Sequence, residues 1–252
     1  MNFFFKYYVF LKLLCKLMAL KYRYPYCRLL RVKKKIGTLF SQDGQDLYIL
    51  PILLDQLKRD NNNWVIDVGA NHPIKYSNTV LFEKYFGCKT IAIEPLREFE
   101  SIWAEQRPKA EFICVAAGSS KGEIQINVPI QGDMMFASVN GGTNKNFHTG
   151  SYEVRTIQVD TITNILKNRG IRDVLLLSID VEGFEIEVLK GIDFSTTSFQ
   201  VIVCENNSDG LLGCNDVRDY LISRGFNYYA RLGWNDDLFI NKSFLKAQQK
   251  KL

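Results

Sequence analysis

The sequence predicts an α/β fold: a doubly wound, mostly parallel sheet with helices on both faces. Three observations predict it. Apolar runs of about five residues recur along the chain, each bounded by Gly, Pro, Asn or Asp, as buried parallel strands are. Helical stretches alternate with these runs, which a parallel sheet requires of its connections. One run, Trp64-Val65-Ile66-Asp67-Val68, leads straight into Gly69-Ala70-Asn71. A strand closed by a glycine turn lets the backbone approach a ligand at the carboxyl edge of such a sheet.

The elements follow in order. Phe40 to Asp46 precedes a helix over Leu47 to Leu57, with Ser41 or Asp43 as its cap and Pro51 at a kink or a new first turn. Strand 1 is Trp64 to Val68. Ser77 or Asn78 caps a helix to about Phe86, which Gly87 ends. Strand 2, Lys89 to Ile93, closes at Glu94-Pro95, and a helix covers Leu96 to Gln106. Strand 3 is Glu111 to Ala117. The alternation then breaks: Gly122 to Val128 and Tyr152 to Val159 read as strands around a Gly- and Asn-rich loop, 132–150, inserted between the third and fourth parallel units. A loop of that length predicts a lid or substrate loop. Asp160 or Thr161 opens a helix to Lys167. Strand 4, Val174 to Ile179, turns through Asp180-Val181-Glu182-Gly183 into a helix over Phe184 to Lys190. Strand 5, Gln200 to Cys204, ends at Glu205. A helix over Asp216 to Arg224 and an antiparallel pair, Phe226 to Arg231 with Asp237 to Ile240, complete the domain.

With 252 residues, 46% of them hydrophobic, the chain can bury a full core. Its organisation reads as one domain, residues 41–245, behind an N-terminal helical segment, residues 1–40. The formal charge of +5 belongs to that segment: residues 1–42 contain ten Lys or Arg and no acid, which leaves 22 basic against 27 acidic residues in the rest. An acidic body of this kind excludes a general nucleic-acid binder. No aromatic motif stands ready to hold a flipped base, which disfavours chemistry on the bases of RNA or DNA. Six cysteines without a C-x-x-C pair or finger spacing indicate neither a disulfide framework nor a zinc site and suit a reducing compartment.

Within the segment, Lys6, Lys12 and Lys16 interrupt a Phe-, Tyr- and Leu-rich stretch. Its charge-free runs are too short to span a bilayer, and it lacks the clean apolar region of a signal peptide. On a helix the three lysines fall within an arc of about 120°, which predicts an amphipathic helix. One reading lays it, through residues 1–35, on an anionic membrane surface. The others pack it on the domain's own surface, or make it a true anchor or a disordered tail. The expected location is cytoplasmic, with the membrane reading adding peripheral attachment at the inner face.

Chemistry is expected where the strands end: at Asp67, Glu94, Ser119, Asp180 with Glu182, and Glu205. An acid ending strand 2, as Glu94 does, can accept both ribose hydroxyls of an adenosyl cofactor. The G-x-G-x-x-G pyrophosphate fingerprint is missing, and Pro73 removes an N–H where a phosphate would sit. An adenosyl ligand without a pyrophosphate therefore fits better than NAD, which points to S-adenosylmethionine. Asp67 and Asn71 would meet its methionine end, or Asp67 would only brace the turn.

Ser-Gln-Asp-Gly-Gln-Asp (41–46), Val-Ile-Asp-Val-Gly-Ala-Asn (65–71), Ser-Asn-Thr (77–79), Ile-Glu-Pro (93–95) and Ile-Asp-Val-Glu-Gly-Phe-Glu-Ile-Glu-Val-Leu-Lys-Gly (179–191) occur in that order. In these runs the sequence resembles the FkbM family of S-adenosylmethionine-dependent methyltransferases over roughly residues 40–240. The resemblance implies a class I methyltransferase (Rossmann-like) fold, with a seven-stranded sheet whose final strand is antiparallel. It also implies O-methylation of a hydroxyl, commonly on a sugar or a polyketide-like product. Asp67, Gly69, Asn71 and Glu94 carry the family's cofactor motifs. Ala70 in the turn and Ala117 at the end of strand 3 complete the expected cofactor set.

A hydroxyl acceptor needs a base to take its proton. His72, directly after the turn, is one candidate; His148 would have to arrive with the loop. Asp180 and Glu182 are others, because crowded carboxylates raise one another's pKa. No metal site is expected, although Asp180 and Glu205 offer oxygens to a divalent cation. The expected partner is a small-molecule, sugar or lipid-linked glycan acceptor. Two competing readings are a catalytically silent relative acting as an interaction protein at the membrane surface, and an NAD-dependent oxidoreductase or epimerase.

Overall fold

A computed structural model describes residues 40–60, 62–130, 137–139, 151–206, 215–233 and 235–249. The N-terminal helical segment up to residue 39, His148 and most of the inserted loop lie outside the described residues.

Seven strands form the main sheet: β1 (Trp64–Val68), β2 (Lys89–Ile93), β3 (Glu111–Ile113), β8 (Asp173–Ile179), β9 (Ser198–Glu205), β10 (Phe226–Leu232) and β11 (Asp236–Asn241). Their order is β10-β11-β9-β8-β1-β2-β3. All neighbours from β3 to β9 pair in parallel, and β11 runs antiparallel to both β9 and β10. Successive residues of each strand face opposite layers, so both faces of the apolar runs are buried. Val65, Leu175, Val201 and Val203 pack with Leu50 and Leu53 of α1 (Gln45–Arg59) and Phe82 of α2 (Val80–Phe86). Ile66, Leu177, Ile179 and Ile202 pack against α4 (Ile162–Lys167), α5 (Glu185–Lys190) and α6 (Asn215–Ser223) through Ile165, Leu189 and Leu221. A helix α3 (Glu100–Gln106) puts Trp103 against Ala70 and Ala92.

Several local expectations change. α1 runs through Pro51, whose exposed position leaves its ring facing water. Neither Ser41 nor Asp43 caps it. Gly44 occupies the cap position, and the Asp46 carboxylate accepts the Ser41 hydroxyl at 2.7 Å and the Leu47 N–H at 2.9 Å. α2 starts after Thr79, not Ser77 or Asn78, and no side chain caps it, because the hydroxyls of Ser77 and Thr79 both go to Asp67. The helix expected from Leu96 opens as a 3₁₀ turn, Arg97–Phe99, before α3. A final helix, α7 (Lys242–Gln249), carries the chain past residue 245.

Strand 3 is the larger correction. It stops at Ile113, where the Val115 N–H folds back onto the Ile113 carbonyl at 3.0 Å. The next residues, β4 (Ala116–Ala117), enter a second sheet with β5 (Gly122–Pro129), β6 (Ser138–Val139) and β7 (Tyr152–Asp160), in the order β4-β7-β5-β6. β5 and β7 pair antiparallel from Gly122↔Val159 to Pro129↔Tyr152. The apolar face of this sheet, with Ile126 and Val128, packs on Leu96 just beyond β2. The insertion is thus a folded wall beside the carboxyl edge of the main sheet.

Candidate active site

The parallel register sets the site. Val68 pairs with Ile93 on one side and Ile179 on the other, and Ile179 with Cys204. The next residue of each strand, Gly69, Glu94, Asp180 and Glu205, therefore stands at one edge. A cleft there is lined by Gly69, Asn71, Glu94, Pro95, Val115, Ala117, Asp180 and Glu182, with Ile126, Ala137 and Val139 of the second sheet opposite.

Gly69 is required twice over. Its φ of 73° lies in the left-handed region, and a Cβ there would fall 1.7 Å from the Asp180 carbonyl oxygen. The N–H groups of Gly69 and Ala70 both donate to the Ile93 carbonyl, at 2.9 and 3.2 Å, which binds the turn to the end of β2. Asn71 has a φ of 41°. Its N–H donates to Glu94 Oε2 at 2.9 Å, and Trp103 Nε1–H donates to its carbonyl at 2.7 Å.

Glu94 is buried, with each carboxylate oxygen accepting one backbone N–H: Asn71 on Oε2 and Leu96 on Oε1, both at 2.9 Å. Burial pushes its carboxyl up to about 7, against the pull of those two N–H groups. A carboxylate has about four acceptor positions. Glu94 therefore keeps room for a pair of hydroxyl donors.

Asp67 does not line the cleft. Strand alternation places it on the Val65 face, under the start of α2, where Oδ2 accepts Thr79 Oγ1–H at 2.7 Å and Ser77 Oγ–H at 3.0 Å. Burial raises its carboxyl while the nearby Arg107 guanidinium and the two hydroxyls pull it down. It braces the turn. Ala70 is likewise turned inward, onto Ala92 and Trp103, whereas Ala117 does line the cleft.

His72 is not among the cleft-lining residues. Its Nδ1 accepts the N–H groups of Ile74 at 3.1 Å and Lys75 at 3.0 Å, which closes the turn ahead of α2 and commits the lone pair a base would use. In this arrangement His72 is a residue of the turn, and Asp180 and Glu182 are the candidate bases that line the cleft.

The carboxylates at the other end of the cleft do gather. Asp180 opens on the cleft, with the buried Glu205 at the end of the neighbouring strand. The surrounding protein, then the charges of Asp236, Glu182 and Glu185, hold Asp180 well above the usual carboxylate range. Glu205 is raised by burial and by the same neighbours, Asp180 first. Glu182 sits in a left-handed turn with a φ of 55°. Glu185 Oε1 accepts the Gly183 N–H at 2.9 Å and the Val181 N–H at 3.3 Å, fixing that turn. Among the described residues no three His, Cys, Asp or Glu side chains are grouped to hold a metal ion.

Sequence reasoning missed Trp103, Arg107 and Asp236. The first two stand four apart, Trp103 inside α3 and Arg107 at its C-terminal cap, a spacing that names no partner. Asp236 accepts the Gln45 side-chain amide, which ties the 41–46 motif to the end of the sheet. Only the position of Gln45 in that motif hinted at it.

A family model described as the methyltransferase FkbM domain matches residues 67–228. No curated protein matches the chain. Among solved structures, M. capricolum TrmK in complex with the natural cofactor product S-adenosyl-homocysteine is similar at 10% identity, over 75% of this chain and 67% of that one, with a TM-score of 0.40. A protein of Thermoplasma acidophilum, numbered 1320, is similar at 12% identity, over 81% of this chain and 92% of that one, with a TM-score of 0.35.

Proposed function

The chain belongs to the FkbM family of S-adenosylmethionine-dependent methyltransferases, and on that premise we propose that it methylates a hydroxyl group of a sugar, glycan or related metabolite. The observation that supports this most is the placing of Glu94 and Asp180 on opposite sides of Gly69, at one cleft. One end has the acceptor capacity for a ribose; the other has the proton-accepting capacity for an alcohol.

The residues present fit the cofactor. Glu94 has lone pairs left for two ribose hydroxyls, Gly69 leaves its backbone bare, and Ile126, Val139 and Val115 offer an apolar wall to a base. When bound, S-adenosylmethionine supplies a methyl group made electrophilic by its positive sulfonium. Carboxylates at the cleft favour that positive charge. Asp180, with Glu205 and Glu182 beside it, would receive the acceptor's proton and orient its oxygen. The wall of the second sheet would exclude water. Ala117 completes the cofactor side, while Asp67 and Ala70 would act only through the turn. A silent interaction protein has no use for this corner, and NAD would lack its pyrophosphate loop.

The sugar or glycan acceptor follows from the family resemblance. Transfer of a labelled methyl group to a panel of monosaccharides and lipid-linked glycans tests it. An alkali-stable methyl ether is expected; label found in an ester or on an amine would contradict it.

The second part of the proposal concerns residues 1–35, whose unopposed basic charge supports peripheral attachment to an anionic membrane at the cytoplasmic face. No helix among the described residues is long and apolar enough to cross a membrane. Deleting residues 1–35 should release the protein from anionic vesicles; undiminished vesicle binding would contradict this part.

A further inference from the structure

The turn after β1 is gripped from behind by the end of α3. Trp103 lies in α3 and Arg107 caps its end four residues on. Trp103 Nε1–H takes the Asn71 carbonyl at 2.7 Å, and Arg107 Nη1–H takes the Pro73 carbonyl at 3.1 Å. The Arg107 guanidinium is only 3% exposed and lies 4.6 Å from the Trp103 ring centre. Its other N–H groups go to Glu83 Oε2 at 2.7 and 2.9 Å, Ser77 Oγ at 3.2 Å, and Thr79 Oγ1 and Thr90 Oγ1 at 3.1 Å. Ser77 and Thr79 are also the two partners of Asp67. A planar fork of five donors is the one side chain that can satisfy so many acceptors at once.

This grip falls where the backbone needs it. Asn71 is left-handed without being glycine, a conformation that persists only when its surroundings enforce it. The peptide before it is held through its N–H on Glu94, and the peptide after it through its carbonyl on Trp103. Two residues on, Pro73 has no N–H to offer, so its carbonyl is the group left to anchor.

The geometry points to Trp103 and Arg107 as positioning residues that set the affinity for the adenosyl cofactor, by holding the Asn71–Pro73 backbone so that the Gly69 turn and Glu94 face the cleft together. The assignment rests on the cofactor reading of that cleft. Trp103 packs apart from the two large layers of the core, in a cluster with Ala70 and Ala92 against which Phe99, Ile102, Ala110 and Phe112 also lie.

The test is calorimetric titration of S-adenosylhomocysteine, which cannot react, well below the melting temperature. It uses wild type, Trp103→Phe, Arg107→Lys, and Leu53→Ala as a control in the α1 layer. Trp103→Phe and Arg107→Lys should each bind about tenfold weaker or worse. Leu53→Ala should melt earlier and bind as wild type does. Unchanged affinity in both positioning variants would overturn the assignment, as would an equal loss in Leu53→Ala, since affinity would then merely follow stability. A wild-type protein that does not bind would overturn the cofactor reading itself, and this inference with it.

Discussion

Asn71 donates its backbone N–H to Glu94 Oε2 at 2.9 Å. That bond joins the turn ending β1 to the acid ending β2. The backbone of one and the carboxylate of the other therefore face the cleft in fixed relation, and several consequences can be measured.

Gly69 should tolerate no side chain. In Gly69→Ala the left-handed backbone alone costs about 1–2 kcal/mol, and the new methyl would fall 1.7 Å from the Asp180 carbonyl oxygen. A loss of more than about 2 kcal/mol in urea unfolding is expected, with cofactor binding abolished. Near-wild-type stability would show that the two strand ends are not in contact.

Cofactor affinity should rise with pH through the titration of Glu94. Burial holds its carboxyl up at about 7, and hydroxyl donors prefer the ionised form. Binding at pH 6 should be about tenfold weaker than its limit at high pH, and Glu94→Gln should bind weakly with that dependence removed. The sign for stability is the reverse. Between the ordinary carboxylate range and about 7 the folded protein holds a proton that the unfolded chain has released, so this group's contribution falls as pH rises across that window. Thermal melts of the free protein from pH 5 to 8, compared with Glu94→Gln, check it.

The carboxyl pair should govern the rate and not cofactor binding. Asp180→Asn is expected to lower kcat a hundredfold to ten-thousandfold, with cofactor affinity within about threefold of wild type. The charge of Glu182 helps to hold Asp180 up, so Glu182→Gln should shift the acidic limb of the pH–rate profile downward. An unmoved limb would argue against Asp180 as the group that titrates there.

His72 should matter for shape alone. His72→Ala removes the acceptor of two N–H groups and should cost about 1 kcal/mol of stability. Because Nδ1 is committed to those bonds, kcat should fall less than about tenfold. A loss comparable with that of Asp180→Asn would restore the histidine as base.

Much of this was legible in the sequence, for reasons that also mark the limits. Buried parallel strands are nearly all apolar, so Lys89–Ile93 and Asp173–Ile179 announced themselves, and the acids just beyond them, Glu94 and Asp180, fell at the carboxyl edge by topology alone. The same continuity hid the break in strand 3. Glu111 to Ala117 reads as one apolar run, and nothing in it says that Ala116 pairs with Val159 of another sheet instead of continuing beside β2. Asp67 was placed on the correct strand, but which face it takes depends on the partner hydroxyls of Ser77 and Thr79, ten and twelve residues away. His72 looked available because a motif cannot show that a ring nitrogen is already bonded to the backbone. Arg107 was invisible: its contacts reach back as far as Pro73, and a buried arginine has the same one-letter symbol as a solvated one.

The most direct test of the central claim is calorimetric titration of wild type and Glu94→Gln with S-adenosylmethionine and, separately, with NAD at pH 8. The cleft described here predicts saturable binding of S-adenosylmethionine alone, weakened at least tenfold in Glu94→Gln. Saturable NAD binding, or S-adenosylmethionine binding that ignores the loss of the Glu94 carboxylate, would contradict it.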